Sequence, residues 1–135
     1  MTINEFPRFV INVLNEVMAE RVTQSIWFIG SRANGCEKSD SDWDFIVFIN
    51  NAIQERSVRH GKVDIIQVSP DGRYLLEGQE MDMIGKFSTW KWLEIEPELA
   101  RYTVRKVPNV ESDEGFDLDK VKLVSMQGLK VWERN

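Results

Sequence analysis

Three short apolar runs do most to limit the folds open to this chain. They are "SIWFIG" at residues 25–30, "DFIVFI" at 44–49 and "GKVDIIQV" at 61–68. Each is too short for a self-standing helix and rich in β-branched or aromatic residues. Each is also bounded by Gly, Pro, Asn or Asp, which is the pattern of buried strands. Their ends carry residues that packing alone does not call for. The first run closes on Gly30-Ser31, the second opens on Asp42-Trp43-Asp44, and the third holds Asp64 between Val63 and Ile65.

The remaining sequence supplies layers around such strands. Residues 2–20 read as an amphipathic helix with Phe6, Phe9, Val10, Val13, Leu14, Val17 and Met18 on one face. Thr2 and Glu5 have the spacing of a capping box, and Pro7 is tolerated in a first turn. Pro70-Asp71-Gly72 ends the third strand. A short helix is read within residues 73–85. Residues 86–106 fit strand or helix, because Trp90, Trp92 and Ile95 settle on no single period. Residues 108–115 form an acidic loop. Leu118, Val121 and Val124 or Ser125 then give helical spacing, with Asp117 as N-cap and Gly128 as stop, before a last short strand "LKVWE". The fold class is therefore α/β (α+β): a small mixed β-sheet flanked by helices, in a single domain over residues 1–135.

The totals narrow the function classes. A chain of 135 residues can build one real core. A net charge of -5 and the lack of a basic run argue against a nucleic-acid-directed protein. A single cysteine, Cys36, excludes an internal disulfide and fits a reducing cytoplasm; it reads as incidental rather than nucleophilic. No signal-peptide pattern and no apolar run of membrane-spanning length stand in the sequence, so a cytoplasmic protein without membrane contact is expected. The oligomeric state, including a homo-oligomer, stays open.

The chemistry concentrates on the three strands. Asp42 and Asp44 are two apart, so in extended chain they share one side, with Trp43 turned away into packing. Asp64 interrupts an apolar run, which is costly unless its charge is compensated. Three carboxylates on one sheet face repel one another, and a divalent cation removes that cost. Mg2+ suits such hard oxygen ligands. At Gly30-Ser31 a glycine admits close approach of a ligand, and successive amides in a turn can receive an anion. Phosphate on the turn and metal on the carboxylates are the parts of phosphoryl or nucleotidyl transfer. Several residues keep two readings. Arg32 either contacts phosphate or balances local charge. Asp64 has Arg59 or Arg32 as an alternative partner to metal. Trp90 and Trp92 read as core packing, with base stacking or partner docking as the alternative. His60 reads as a solvated loop residue.

Gly30-Ser31, ten residues, then Asp42-x-Asp44 resembles the signature of the polymerase-beta-type nucleotidyltransferase superfamily. "GSRANG" followed by "SDSDWDF" is most similar to its minimal nucleotidyltransferase (MNT) domains. The resemblance covers residues 25–68, and the C-terminal segment loosely; residues 70–115 stand outside it as a divergent insertion. It implies that Asp42 and Asp44 hold the metal ions bridging a triphosphate. It implies that Asp64 helps hold the second of two Mg2+ ions and activates the acceptor hydroxyl. Gly30 and Ser31, with Arg32 beside them, would bind the phosphates. The implied reaction moves a nucleoside monophosphate, AMP from ATP, to a hydroxyl and releases pyrophosphate. The implied partner is a helical HEPN-type protein, with this chain as its antitoxin. The alternatives are a non-catalytic nucleotide- or partner-binding module and a transferase acting on a small molecule such as an aminoglycoside.

Overall fold

The computed structural model describes residues 1–106 and 122–135. It is a mixed α+β fold dominated by one sheet. A short 3-10 turn (Ile3–Glu5) precedes α1 (Arg8–Glu20), then β1 (Thr23–Ile29), the four-residue α2 (Gly30–Ala33), β2 (Trp43–Ile49) and β3 (Val63–Val68). The chain continues through β4 (Arg73–Leu76), β5 (Gly85–Lys86), a 3-10 turn (Phe87–Trp90), β6 (Leu93–Glu96), β7 (Leu99–Lys106) and β8 (Lys122–Glu133). Among the described residues the strands form an eight-stranded sheet in the order β5-β4-β3-β2-β1-β8-β7-β6. The β2–β3 pair is parallel and the other neighbours are antiparallel.

The helix expected over residues 2–20 begins later, because Pro7 in extended conformation precedes α1 and separates it from the first turn. Within that turn the Glu5 carboxylate accepts from the Thr2 amide, the contact that the capping-box spacing anticipates. Val10, Leu14 and Val17 are fully buried on the sheet, each contributing about 1.5–3 kcal/mol of apolar burial. Phe9, expected on that face, is exposed; Phe6 takes the buried aromatic place and meets Phe28 and Phe45 edge-on.

Strand alternation divides the sheet cleanly. Ile26, Phe28, Phe45, Val47, Val63 and Ile65 face α1, and Trp43 packs with them. Trp27, Ile29, Ile46 and Val68 face the other way, where Phe48, Tyr74, Phe87, Trp90, Trp92 and Tyr102 join them. Among the described residues the expectation of flanking helices holds on one face only. Residues 87–92 cover part of the second face with rings in place of a helix, and Trp27 meets Trp92 edge-on at 5.1 Å between centroids. Lys91, at φ 55° in the left-handed region, turns the chain between Trp90 and Trp92.

Two helix expectations give way to strands. Residues 73–76 and 85–86 pair as β4 and β5, with a 3-10 turn at Met81–Met83 between them. Residues 122–127, expected as the end of a helix, belong to β8 and pair with β7 from Lys106↔Lys122 to Leu99↔Leu129. The cross-strand ladder and the contacts of Met126 with the aromatic layer outweigh a helical spacing of three apolar positions. The acidic loop at 108–115 and the Asp117, Leu118 and Val121 positions lie outside the described residues. The closing strand at 129–133 is present within β8.

A buried polar knot fixes the β2–β3 crossover, residues 50–62. Arg21 donates to both oxygens of Glu77 at 2.7 and 2.6 Å, Gln67 Nε2 donates to Glu77 at 2.8 Å, and His60 Nε2 lies 2.9 Å from it. His60 is therefore held in the interior, with its side chain 8% exposed, rather than solvated. Burial of Glu77 alone would raise its pKa. The hydrogen bonds from Arg21 and His60, and the Arg21 charge, outweigh that effect and hold it below the usual carboxylate range.

Candidate active site

The parallel register pairs Asp44 directly with Asp64. Asp44 shares its parity with Ile46 and Phe48, and Asp64 shares its parity with Ile66 and Val68. Both carboxylates therefore project to the face opposite α1. Asp42, Asp44 and Asp64 are all half-buried. The Asp44 carboxyl is pushed up from its ordinary 3.8 to about 7. Burial is the largest cause, followed by the charge of Asp64, a hydrogen bond with it, and the charge of Asp42. Asp42 is thus close enough to act on the pair from the strand entrance.

The Gly-Ser turn stands against this pair. Ile29 pairs with Asp44 across β1 and β2, so Gly30 follows at the same edge. Gly30 has φ +80°, and a Cβ there would collide with the Asp44 carboxylate. Only glycine meets both conditions. Asn34 braces the turn: its amide donates to the Gly30 carbonyl at 2.8 Å and to the Gln127 carbonyl at 3.1 Å, while the Gln127 amide donates back to Asn34 at 2.8 Å. Because α2, which begins at Gly30, is one turn long, Ser31 offers an amide and a hydroxyl rather than a helix dipole.

Arg32 is directed elsewhere. Its guanidinium lies 4.4 Å above the Trp43 ring and donates to the carbonyls of Ser41 and Ser39 at 3.0 and 3.3 Å. It clamps the loop that delivers Asp42. Trp43 stacks with Phe28 on the α1 side, as its alternation with the aspartates anticipates. Arg59 reaches Asp64 at 3.4 Å from a side chain 62% exposed, a weak surface pair that leaves most of the acidic charge uncompensated.

Tyr102 belongs to the site, and the sequence reading did not single it out. Its hydroxyl accepts from the Gly30 amide at 2.9 Å. Burial pushes that hydroxyl up to about 12, and the charge of Asp44 adds to the effect. The signal was present as a strict alternation of Ala100, Tyr102 and Val104 with Arg101, Thr103 and Arg105, which defines an apolar strand face.

Among the described residues no group of three or more His, Cys, Asp or Glu side chains is placed to hold a metal ion. The donor chemistry nevertheless fits Mg2+, which is commonly held by one or two carboxylates together with substrate phosphates rather than by a full protein cage. Paired Asp44 and Asp64 supply that number, with Asp42 beside them. Among the described residues no helix is long and apolar enough to cross a membrane. The chain matches no protein-family model, no curated protein and no solved structure in these comparisons.

Proposed function

We propose that this chain is an Mg2+-dependent nucleotidyltransferase that moves AMP from ATP to a hydroxyl. The observation that carries the reading is the registered Asp44–Asp64 pair set against the Gly30-Ser31 turn on one sheet face. Bound Mg2+ would supply charge neutralisation and orientation of the triphosphate, held by Asp42, Asp44 and Asp64. Ser31 would receive phosphate oxygens through its amide and hydroxyl, and Gly30, without a Cβ, would let them approach the backbone closely. The acceptor oxygen attacks the α-phosphorus, the bond from that phosphorus to the β-phosphate oxygen breaks, and pyrophosphate leaves. Asp64 takes the proton of the attacking hydroxyl. Positioning and electrostatics account for the rate, since phosphoryl transfer asks little other chemistry of a protein.

The acceptor we favour is a hydroxyl on a helical HEPN-type partner, which makes this chain the antitoxin of the pair. The test incubates the protein with α-labelled ATP, Mg2+ and the product of the neighbouring gene. Label should appear on that product and vanish with Asp42→Ala or Asp44→Ala. Equal labelling by both variants would remove the mechanism. A second reading, a nucleotide- or partner-binding module without transfer, is favoured by one contact: the Tyr102 hydroxyl already occupies the Gly30 amide. Saturable ATP binding without any label transfer would decide for it.

A further inference from the structure

We propose that the cleft between Tyr74, Trp90 and Arg105 holds the base of the nucleoside triphosphate; this rests on the nucleotidyl-transfer reading above. The cleft has a volume of about 440 Å³ and is lined by Tyr74, Thr89, Trp90, Thr103, Val104 and Arg105. That volume lies in the range that takes small organic ligands, about 300–1,000 Å³. Its walls combine two half-buried rings, two threonines and one exposed cation. A planar heterocycle with hydrogen-bonding edges matches that lining, because every base offers a π-face to an aromatic wall and acceptor atoms to a guanidinium.

Packed side chains join the walls of the cleft to the carboxylates. The Trp90 ring stands 5.5 Å from that of Tyr102 and 5.4 Å from that of Tyr74, centroid to centroid. The Tyr102 hydroxyl holds the Gly30 amide, and Gly30 abuts Asp44. These contacts join the anionic end to the aromatic end through Tyr102 and Trp90. Beyond Ile29, β7 and β8 continue as a two-stranded ribbon, which brings Thr103, Val104 and Arg105 over the end of β1 that carries Gly30. The left-handed Lys91 lets Trp90 line the cleft while Trp92 stacks on Tyr102 at 5.9 Å. A nucleotide has the same polarity, with phosphates at one end and a ring at the other.

The experiment separates the two ends by calorimetric titration. Adenosine, which carries no phosphate, probes the cleft; Mg2+ with inorganic tripolyphosphate probes the carboxylates and the Gly-Ser turn. Trp90→Leu and Arg105→Gln should each weaken adenosine binding about tenfold or more and leave tripolyphosphate binding within about twofold. Unchanged tripolyphosphate binding also certifies that each variant is folded. Adenosine binding that is absent from the wild-type protein, or equal in both variants, overturns the base assignment alone. Failure of the wild-type protein to bind Mg2+ with tripolyphosphate overturns the transfer reading and the base assignment with it.

Discussion

Replacing Asp44 with asparagine should make the metal-free protein more stable while destroying its proposed activity. The Asp44 carboxyl sits near 7 instead of 3.8 because it is buried beside Asp64 and near Asp42. At about 1.4 kcal/mol for each tenfold change in proton affinity, that displacement has a ceiling of about 4 kcal/mol. The group is only half-buried, and solvent screening reduces the usable figure to about 2 kcal/mol. The sign follows from linkage. The unfolded chain releases this proton near 3.8 and the native chain near 7, so between those values the native state binds more protons and stability falls as pH rises. Below 3.8 no penalty exists, and above 7 it is complete.

An asparagine side chain has the same shape as the aspartate and no charge, so its advantage must follow that window. Thermal unfolding in chelator should show nearly equal midpoints at pH 4. At pH 8.5 the Asp44→Asn variant should melt about 6–10 °C higher than the wild-type protein. Added Mg2+ should raise the wild-type midpoint more than that of the variant, and so narrow the gap. A variant no more stable than wild type at pH 8.5, or a gain of the same size at pH 4, would refute the argument that repulsion at this pair is uncompensated.

Other substitutions test the scaffold. Gly30→Ala should destabilise the protein by about 1–3 kcal/mol in denaturant unfolding, because a Cβ meets both the φ +80° backbone and the Asp44 carboxylate. Tyr102→Phe strands the Gly30 amide and should cost about 1–3 kcal/mol by the same measurement. Leu14→Ala opens the α1–sheet interface and should cost about 2–5 kcal/mol, read as a lowered chemical midpoint. Glu77→Gln leaves buried Arg21 with only the half-exposed Glu20, at 3.3 Å, as counter-charge among the described residues and should cost about 3 kcal/mol at pH 7. That loss should shrink as pH falls through the depressed pKa of Glu77, because the native carboxylate is then protonated as well.

The central strands were legible because their signals are local. Residues 25–30, 44–49 and 61–68 each hold an apolar run closed by turn residues, and β1, β2 and β3 occupy them to within about two residues. Alternation put Asp42 and Asp44 on one face, and the cost of an unpaired Asp64 suggested that it joins them, but the direct pairing of Asp44 with Asp64 was not legible. Register between parallel strands is set across a long crossover, and that crossover is held by His60 on Glu77 and by Arg56 on Glu20, contacts that span 17 and 36 residues. The second half was harder. Trp90 and Trp92 straddle a left-handed Lys91, so they obey no period. Over residues 118–125, three positions at helical spacing masked a strand at 122–127 whose partner, β7, lies in a segment that itself read either way. Tyr102 escaped notice for the same reason. Its role comes from where β7 lies, beside β8 and past the end of β1, and no spacing within residues 99–106 encodes that neighbour.

Two acidic side chains leave solvent on the same small sheet, and the fold treats them in opposite ways. Glu77 is surrounded by Arg21, His60 and Gln67, so its carboxylate is more comfortable as an anion inside the protein than outside. Among the described residues the charges acting on Asp44 are those of Asp64 and Asp42, a glycine abuts it, and Arg59 reaches its partner Asp64 from solvent. The chain can therefore build a complete cation cage for a buried carboxylate, and it does so about one strand away. Leaving Asp44 without one is not a limit of the scaffold. A local rule broken where its remedy is close at hand is the pattern expected of a functional site, and it supports the proposed reading. The opposite stability effects expected for Glu77→Gln and Asp44→Asn at neutral and alkaline pH express that distinction directly: one substitution removes an anion that its neighbours satisfy, the other an anion that its described neighbours repel.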